Sequence, residues 1–353
     1  MREYQVSKLI GNEILAKPVC LENGNIILEI GTILKPDYIE ALISLNIHKI
    51  FIEDPFEKYE KENMYFDKKV VWKFEDDLRN ILSQHIYKNN QGLKRLLELA
   101  ERIVTVFEET KEKRALDVIN RTADLYEHTI YTTILVMILG REYGFPRKRM
   151  VDAVLGCLLH DLGYQYINVI YKNCCYEKMT PIEIYELKRH TILGYSALNK
   201  ESWIPEISKL MILLHHEKLD GSGYPLKRKT SQEECRMIQI CDAFDCTISG
   251  MECMKKNLLQ AFEIISDYKA YDFHMREILV QKIGYYPVGT FVKTENQKLA
   301  VVISQTENAK APIILYINGI DHSHIVTENL NKKEAPRILS PYDSLEAFIS
   351  AKD

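Results

Sequence analysis

The sequence predicts a mainly α protein, with a helical core between a small α+β module at the N-terminus and a small β-rich module at the C-terminus. Three observations carry this. Through most of residues 64–285 apolar side chains recur at spacings of three and four, the period of helices with a buried face. Ahead of them, Asn23-Gly24 separates the apolar runs Ile14 to Cys20 and Ile26 to Ile30, a strong hairpin signal. Behind them, YPVGTFVKT, LAVVIS and PIILYI are divided by polar turns.

In chain order, residues 1–53 form the α+β module: after the hairpin, Pro36 suits a first helical turn, and Ile39, Leu42 and Ile43 keep helical spacing before the strand-like HKIFIE. Asp54 to Asn63 is a charged, proline-containing connector. Residues 64–115 are connecting helices, carried by Leu78, Ile81, Leu82, Leu93, Leu96, Leu97, Ile103, Val104 and Phe107. Residues 116–285 form the main helical domain, where Val151, Val154, Leu155, Leu158, Leu159 and Leu162 make one stripe. Gly144 with Pro146, and Gly221 through Pro225, interrupt it. Residues 286–353 are the β-rich module, closing on a short helical SLEAFIS.

Composition bounds the function. A chain of 353 residues with 46% apolar and 27% charged side chains is neither disordered nor fibrous. Its 46 basic and 50 acidic residues sum to −4 with no long block of one sign, which argues against DNA and polybasic membrane binding. The longest apolar stretch, Ile130 to Gly140, is too short to span a bilayer. MREYQVSKLIGNEI has no apolar signal segment, so the expected localisation is cytoplasmic. There the 8 cysteines, which include no C-x-x-C pair, are read as reduced thiols filling the core.

Histidine is unevenly spread. Five of the 10 fall between His128 and His216, each near an acid or a second histidine, which favours metal binding over chance. Asp124 and His128 are four apart, on one face of a predicted helix. His160-Asp161 and His215-His216 each end an apolar helical pattern. His190 and Asp242 lie on other predicted helices. Imidazole and carboxylate without thiolate suit two or three divalent transition-metal ions, Fe or Mn.

The doublet His160-Asp161, and His215-His216-Glu217 followed by Asp220-Gly221-Ser222-Gly223-Tyr224-Pro225, resemble the signature of the HD-GYP subfamily of the HD phosphohydrolase superfamily. The likeness covers residues 120–285 well and extends weakly to both terminal modules. It implies an HD-type all-α bundle that hydrolyses cyclic di-GMP or a related cyclic dinucleotide at a centre of two or three metals. It assigns Asp124, His128, His160, Asp161, His190, His215, His216 and Asp242 as metal ligands, Asp161 bridging. Asp161 and Tyr164 take catalytic positions, and Gly223, Tyr224, Pro225 and Lys255 substrate-binding ones. A homodimer is left open.

Two departures stand out. The family continues HD-x-G-Lys, whereas this chain has Tyr164. Its D-x-x-D-A stretch is followed by basic residues, where this chain has Met251 and Met254 and keeps only Lys255 or Lys256. Each lost charge-assisted contact to phosphate is worth about 1.5–3 kcal/mol. Lys227, Arg228, Lys229 and Arg236 either compensate or form a solvated basic loop. The expectation is a slow phosphodiesterase. The alternatives are a non-catalytic metal- and nucleotide-binding signalling module and an enzyme for another phosphoester.

Overall fold

The computed structural model describes residues 2–9, 11–16, 18–20, 26–45, 47–53, 68–83, 90–110, 114–118, 122–317, 327–332 and 335–342. The connector at 54–63, the Asn23-Gly24 turn and SLEAFIS lie outside the described residues.

The N-terminal module comprises β1 (Arg2–Gln5), β2 (Val19–Cys20), β3 (Ile26–Leu28), α1 (Pro36–Ser44) and β4 (Lys49–Ile52). β1 pairs antiparallel with β4, and β2 with β3. Pro36 does start α1, which buries Ile39 and Leu42 in an apolar cluster with Val6, Leu15, Leu34 and Ile50.

Among the described residues ten α-helices follow: α2 (Lys68–Ser83), α3 (Arg95–Glu109), α4 (Leu125–Glu142), α5 (Arg147–Leu159), α6 (Pro181–Lys188), α7 (His190–Leu198), α8 (Glu206–Leu214), α9 (Glu233–Ser249), α10 (Leu258–Ile265) and α11 (Phe273–Lys282). Among the described residues no strand interrupts them. Their starts are chemically marked. Thr180 with Glu183 and Asn257 with Gln260 make capping boxes, and Asp124 and Asp272 cap α4 and α11. From His128 through Gly140 every residue of α4 is buried. A helix apolar around its whole circumference belongs at the centre of a bundle, and α2, α5, α9 and α11 surround it. α2 and α3 are part of this bundle, since Val71, Leu78, Leu99 and Phe107 share one apolar cluster with Leu135, Leu158 and Phe244.

The C-terminal module is a five-stranded antiparallel sheet of β5 (Phe291–Thr294), β6 (Leu299–Ser304), β7 (Ile313–Tyr316), β8 (Thr327–Asn329) and β9 (Ile338–Tyr342) in the order β8-β7-β6-β5-β9. Pro341 is tolerated because β9 is an edge strand. Asp117 fastens the sheet to the bundle by accepting the Val288 N–H.

One close approach positions the site. A Cβ on Gly163, in the turn after α5, would lie 1.8 Å from the His190 carbonyl oxygen. That turn therefore packs backbone against backbone on the start of α7. Gly163→Ala should destabilise the protein by about 3 kcal/mol or more, beyond ordinary overpacking, and lower its metal content in parallel. Calorimetry with metal analysis checks both, and an unshifted melting temperature contradicts the packing.

Candidate metal centre

Helix ends bring the imidazoles together. The last carbonyls of an α-helix have no intrahelical partner. His160 caps the C-terminus of α5, His215 that of α8, and His190 follows α6 with Arg189 between. Each ring folds back and donates Nδ1–H to the carbonyl three residues earlier: His160 to Cys157 (2.7 Å), His190 to Leu187 (2.7 Å) and His215 to Ile212 (2.9 Å). A carbonyl only accepts, so Nδ1 keeps its proton and each Nε2 is left to face the interior, with a lone pair whenever the ring is neutral. His128, within α4, reaches the same tautomer by donating Nδ1–H to Asp245 Oδ2 at 2.7 Å. A carboxylate in that position orients metal-binding histidines in general.

Asp161 stands between two sets of these nitrogens. Its Oδ2 lies 3.1 Å from His160 Nε2 and 3.5 Å from His128 Nε2. Its Oδ1 lies 3.5 Å from His215 Nε2 and 3.8 Å from His190 Nε2. Asp242 joins the first set through Oδ1, 3.1 Å from His128 Nε2, and approaches His216 Nδ1 to 3.4 Å through Oδ2.

Two observations show that cations fit. His160 Nε2 is buried and has no hydrogen-bond partner among the described residues, because its approach to Asp161 has the wrong direction for one. His190 Nε2 and His215 Nε2 face each other at 3.0 Å, although both rings have committed their Nδ1 protons to carbonyls. A cation between nitrogen lone pairs satisfies both. Three groups, His190/His215/His216, His128/His160/Asp161 and His128/Asp242/Cys246, each gather their ligand atoms within 4.8 Å. Such donors can hold first-row divalent metals.

Without an ion, protons balance the buried carboxylates. Burial depresses His160, but Asp161 and Asp242 outweigh it and hold the ring at about 10. Burial likewise opposes His128, which Asp242 and Asp245 lift to about 9. His215, buried beside His216, falls to about 3. Burial pushes Asp161 and Asp242 upward, yet the neighbouring imidazoles, chiefly His160 and His216 respectively, keep both well below the usual carboxylate range.

Asp124 is placed differently from its companions. It is the N-cap of α4 rather than a residue within it. Its carboxylate accepts the Tyr126 and Glu127 N–H groups and pairs with Arg79 at 3.1 Å, and it belongs to none of the three ligand groups. Tyr164 is buried, stacks on His190 (4.3 Å between centroids) and donates its hydroxyl to Glu252.

The GSGYP loop proves to be a clasp on His216. Tyr224 stacks on that ring at 4.7 Å. A Cβ on Gly223 would fall 2.4 Å from the His216 carbonyl. The buried Glu217 carboxylate accepts the Leu226, Lys227 and Arg228 N–H groups at 2.5, 2.9 and 3.1 Å. Gly223 and Tyr224 also line a cavity of about 330 Å³ beside the site, whereas Pro225 does not. Lys255 is exposed, and Lys256, anchored by its N–H to the Thr247 carbonyl at 2.8 Å, lines the cavity instead. Lys227, Arg228 and Lys229 are exposed outside it, and Arg236 pairs with Asp272 at 2.7 Å.

Sequence reasoning passed over several groups. Glu252 is buried 3.4 Å from His216 Nε2 and 3.5 Å from His190 Nδ1, and it accepts a hydrogen bond from Tyr224 at 3.2 Å. Asp245 orients His128. Cys246, read as core filler, reaches the centre. Lys188 and Lys218 line the cavity. Asp245 carried a signal, lying three residues after Asp242 on one helix. Glu252 carried none, because it follows the helix on irregular chain.

Metal ligation needs neutral imidazoles, and the metal-free centre holds protons on His128 and His160 at pH 7. Loading should therefore release about two protons per chain from these imidazoles into weak buffer, beside any lost by a further ligand, and weaken as pH falls. Asp161→Asn should cut the metal content, because a neutral amide bridges poorly. Titration of metal into metal-free protein in two buffers of different ionisation enthalpy measures the release, and no release contradicts this charge balance.

Comparison with known proteins agrees with the geometry. A family model described as HD domain matches residues 104–275. The cyclic di-GMP phosphodiesterase PA4108 of Pseudomonas aeruginosa is 29% identical over 184 residues, 51% of this chain and 44% of that protein. The cyclic di-GMP phosphodiesterase PdeB of Borreliella burgdorferi is 27% identical over 212 residues, 57% of this chain and 54% of that one. The chain spans about half the length of these relatives. Among solved structures, Bd1817, a HDG"Y"P protein from Bdellovibrio bacteriovorus, is 16% identical with a TM-score of 0.49, covering 79% of this chain and 97% of that one. The HD-domain match over residues 104–275 spans the His160-Asp161 doublet and the loop clasped on His216, so this part of the chain is similar to HD domains.

Proposed function

We propose that the chain is a metal-dependent phosphodiesterase that opens cyclic di-GMP to the linear dinucleotide or to GMP, within an HD-GYP domain at residues 116–285. The observation that carries this reading is Asp161, shared between two imidazole sets beside a cavity walled by His215, His216 and Asp242. The names of the relatives supply the substrate. Two or three ions, Fe or Mn, would be held by His128, His160, Asp161, His190, His215, His216 and Asp242, with Asp124 an eighth ligand only if it leaves Arg79. Such ions supply Lewis acidity and a water ionised near neutral pH. We place the activity in the cytoplasm and leave a homodimer open; among the described residues, no helix is long and apolar enough to cross a membrane.

The chain's own side chains set the rate. Lys188, Lys218 and Lys256 on the cavity wall offer positive charge to the substrate phosphates. Tyr164 offers only a neutral hydrogen bond, because burial and Glu252 push its phenol well above its ordinary value. That hydrogen bond already goes to Glu252. Burial raises Glu252, but His216 and His190 outweigh it and hold it ionised at about 2. A site that has exchanged a lysine for a phenol and also carries a buried carboxylate is poorly matched to a phosphodiester. This observation favours slow turnover, and it keeps a catalytically weak metal- and nucleotide-binding signalling module as the second reading.

Single-turnover rates on cyclic di-GMP, with all proteins fully metallated, decide between them. Wild type should turn over slowly. Tyr164→Lys alone should gain little, since the new ammonium would pair with Glu252. Tyr164→Lys combined with Glu252→Gln should gain about tenfold or more, the ~1.5–3 kcal/mol of one charge-assisted contact. Bound nucleotide with zero rate in all three proteins would sink the enzyme reading in favour of the signalling module.

A further inference from the structure

Cys246 lies one helical turn beyond Asp242 on α9, so both side chains leave the same face. It is the fifth residue of the D-x-x-D-A-like stretch, at the position where that pattern ends in alanine. Its Sγ is 3.5 Å from Asp242 Oδ1 and 3.9 Å from His128 Nε2, and those two atoms are 3.1 Å apart. With metal–sulfur distances of about 2.3 Å and metal–nitrogen or metal–oxygen distances of about 2.0–2.1 Å, ligand edges involving sulfur come to about 3.1 Å at a right angle and about 3.6 Å at the tetrahedral angle. The observed spacings match such edges.

An independent observation points to a ligand at the same place. His160 Nε2, 3.6 Å from Asp242 Oδ1, is buried and without a hydrogen-bond partner among the described residues. His128 Nε2, Asp242 Oδ1 and Cys246 Sγ gather within 4.8 Å of one another, and His160 Nε2 approaches the same Asp242 oxygen. Cys157, Cys235 and Cys241 are buried elsewhere in the apolar core.

We infer that Cys246 supplies a thiolate ligand to the ion held by His128, His160, Asp161 and Asp242, giving this half of the centre a mixed nitrogen, oxygen and sulfur donor set. The inference rests on the metal-centre reading above. On binding, the S–H bond breaks, its proton passes to solvent and the sulfur–metal bond forms. The other half, around His190, His215 and His216, keeps nitrogen and oxygen donors only. A soft sulfur donor would bias the first half toward Zn, Fe or Co over Mn and Mg, so the two halves would differ in metal preference.

Cobalt(II) loaded anaerobically into the metal-free full chain provides the test, because thiolate–cobalt bonds give a near-ultraviolet charge-transfer band that imidazole and carboxylate do not. Wild type should show the band together with visible ligand-field bands. Cys246→Ala should lose the charge-transfer band and keep the visible ones, and Cys246→Ser, closer in shape, should do the same. Visible bands without the charge-transfer band in wild type would overturn the thiolate while leaving the metal centre intact. A charge-transfer band that survives in both variants would assign the sulfur to another cysteine and likewise overturn it. Failure to take up cobalt at all would overturn the metal-centre reading, and this inference with it.

Discussion

The site depends on carbonyls that the helices leave unpaired. α9 shows the ordinary solution, ending on Gly250 in the left-handed region (φ 88°) with its N–H returned to the Cys246 carbonyl. α5, α6 and α8 instead meet an imidazole Nδ1–H at or just beyond the end. One bond therefore does two things: it satisfies a backbone acceptor that burial would otherwise leave costly, and it turns Nε2 toward the interior. The histidines are held through backbone rather than through long side chains, so their spacing follows from where the helices end. The backbone contact at Gly163 fixes the end of α5 against the start of α7.

His216 cannot use this device in the same way, because it follows His215 and lies one step past the end of α8. Its orientation comes from the loop after it. Glu217, next in sequence, draws three amides of residues 226–228 back toward the helix end, and Gly223 lets the returning backbone lie against His216. Tyr224 then covers the ring. The string from His215 to Pro225 is thus a single mechanical unit.

Much of this was legible in the sequence because it is local. Helical periodicity marked α4 and α5, Pro36 marked α1, and the doublets marked helix ends. What stayed hidden depends on long-range placement. Asp124 reads as a helical neighbour of His128 until the cap is seen, since capping requires only a shift of the helix start beyond that residue. The three lysines lining the cavity are scattered between residues 188 and 256, and their convergence is a product of the fold. Cys246 shares its helix face with Asp242, but a cysteine in an apolar helix looks like core until the opposing His128 is in place. The conspicuous basic run at residues 227–229 misleads for the same reason: its amides, rather than its charges, are what Glu217 uses.

The charge balance ties these features together. Asp161, Asp242, Asp245 and Glu252 are all buried, and unpaired buried charge is far too costly to persist. In the metal-free state the raised histidines supply compensating protons; in a loaded state the ions supply the charge and the imidazoles give those protons up. Glu252 is the member whose compensation comes through His216, His190 and two tyrosine hydroxyls rather than through the Asp161 bridge. Glu252 and Tyr224 line the cavity, so the proposed phosphodiester would meet a carboxylate there. The same interactions that make the metal site self-consistent therefore place buried negative charge beside the cavity, and the lysines of its wall are left to offset it from farther out.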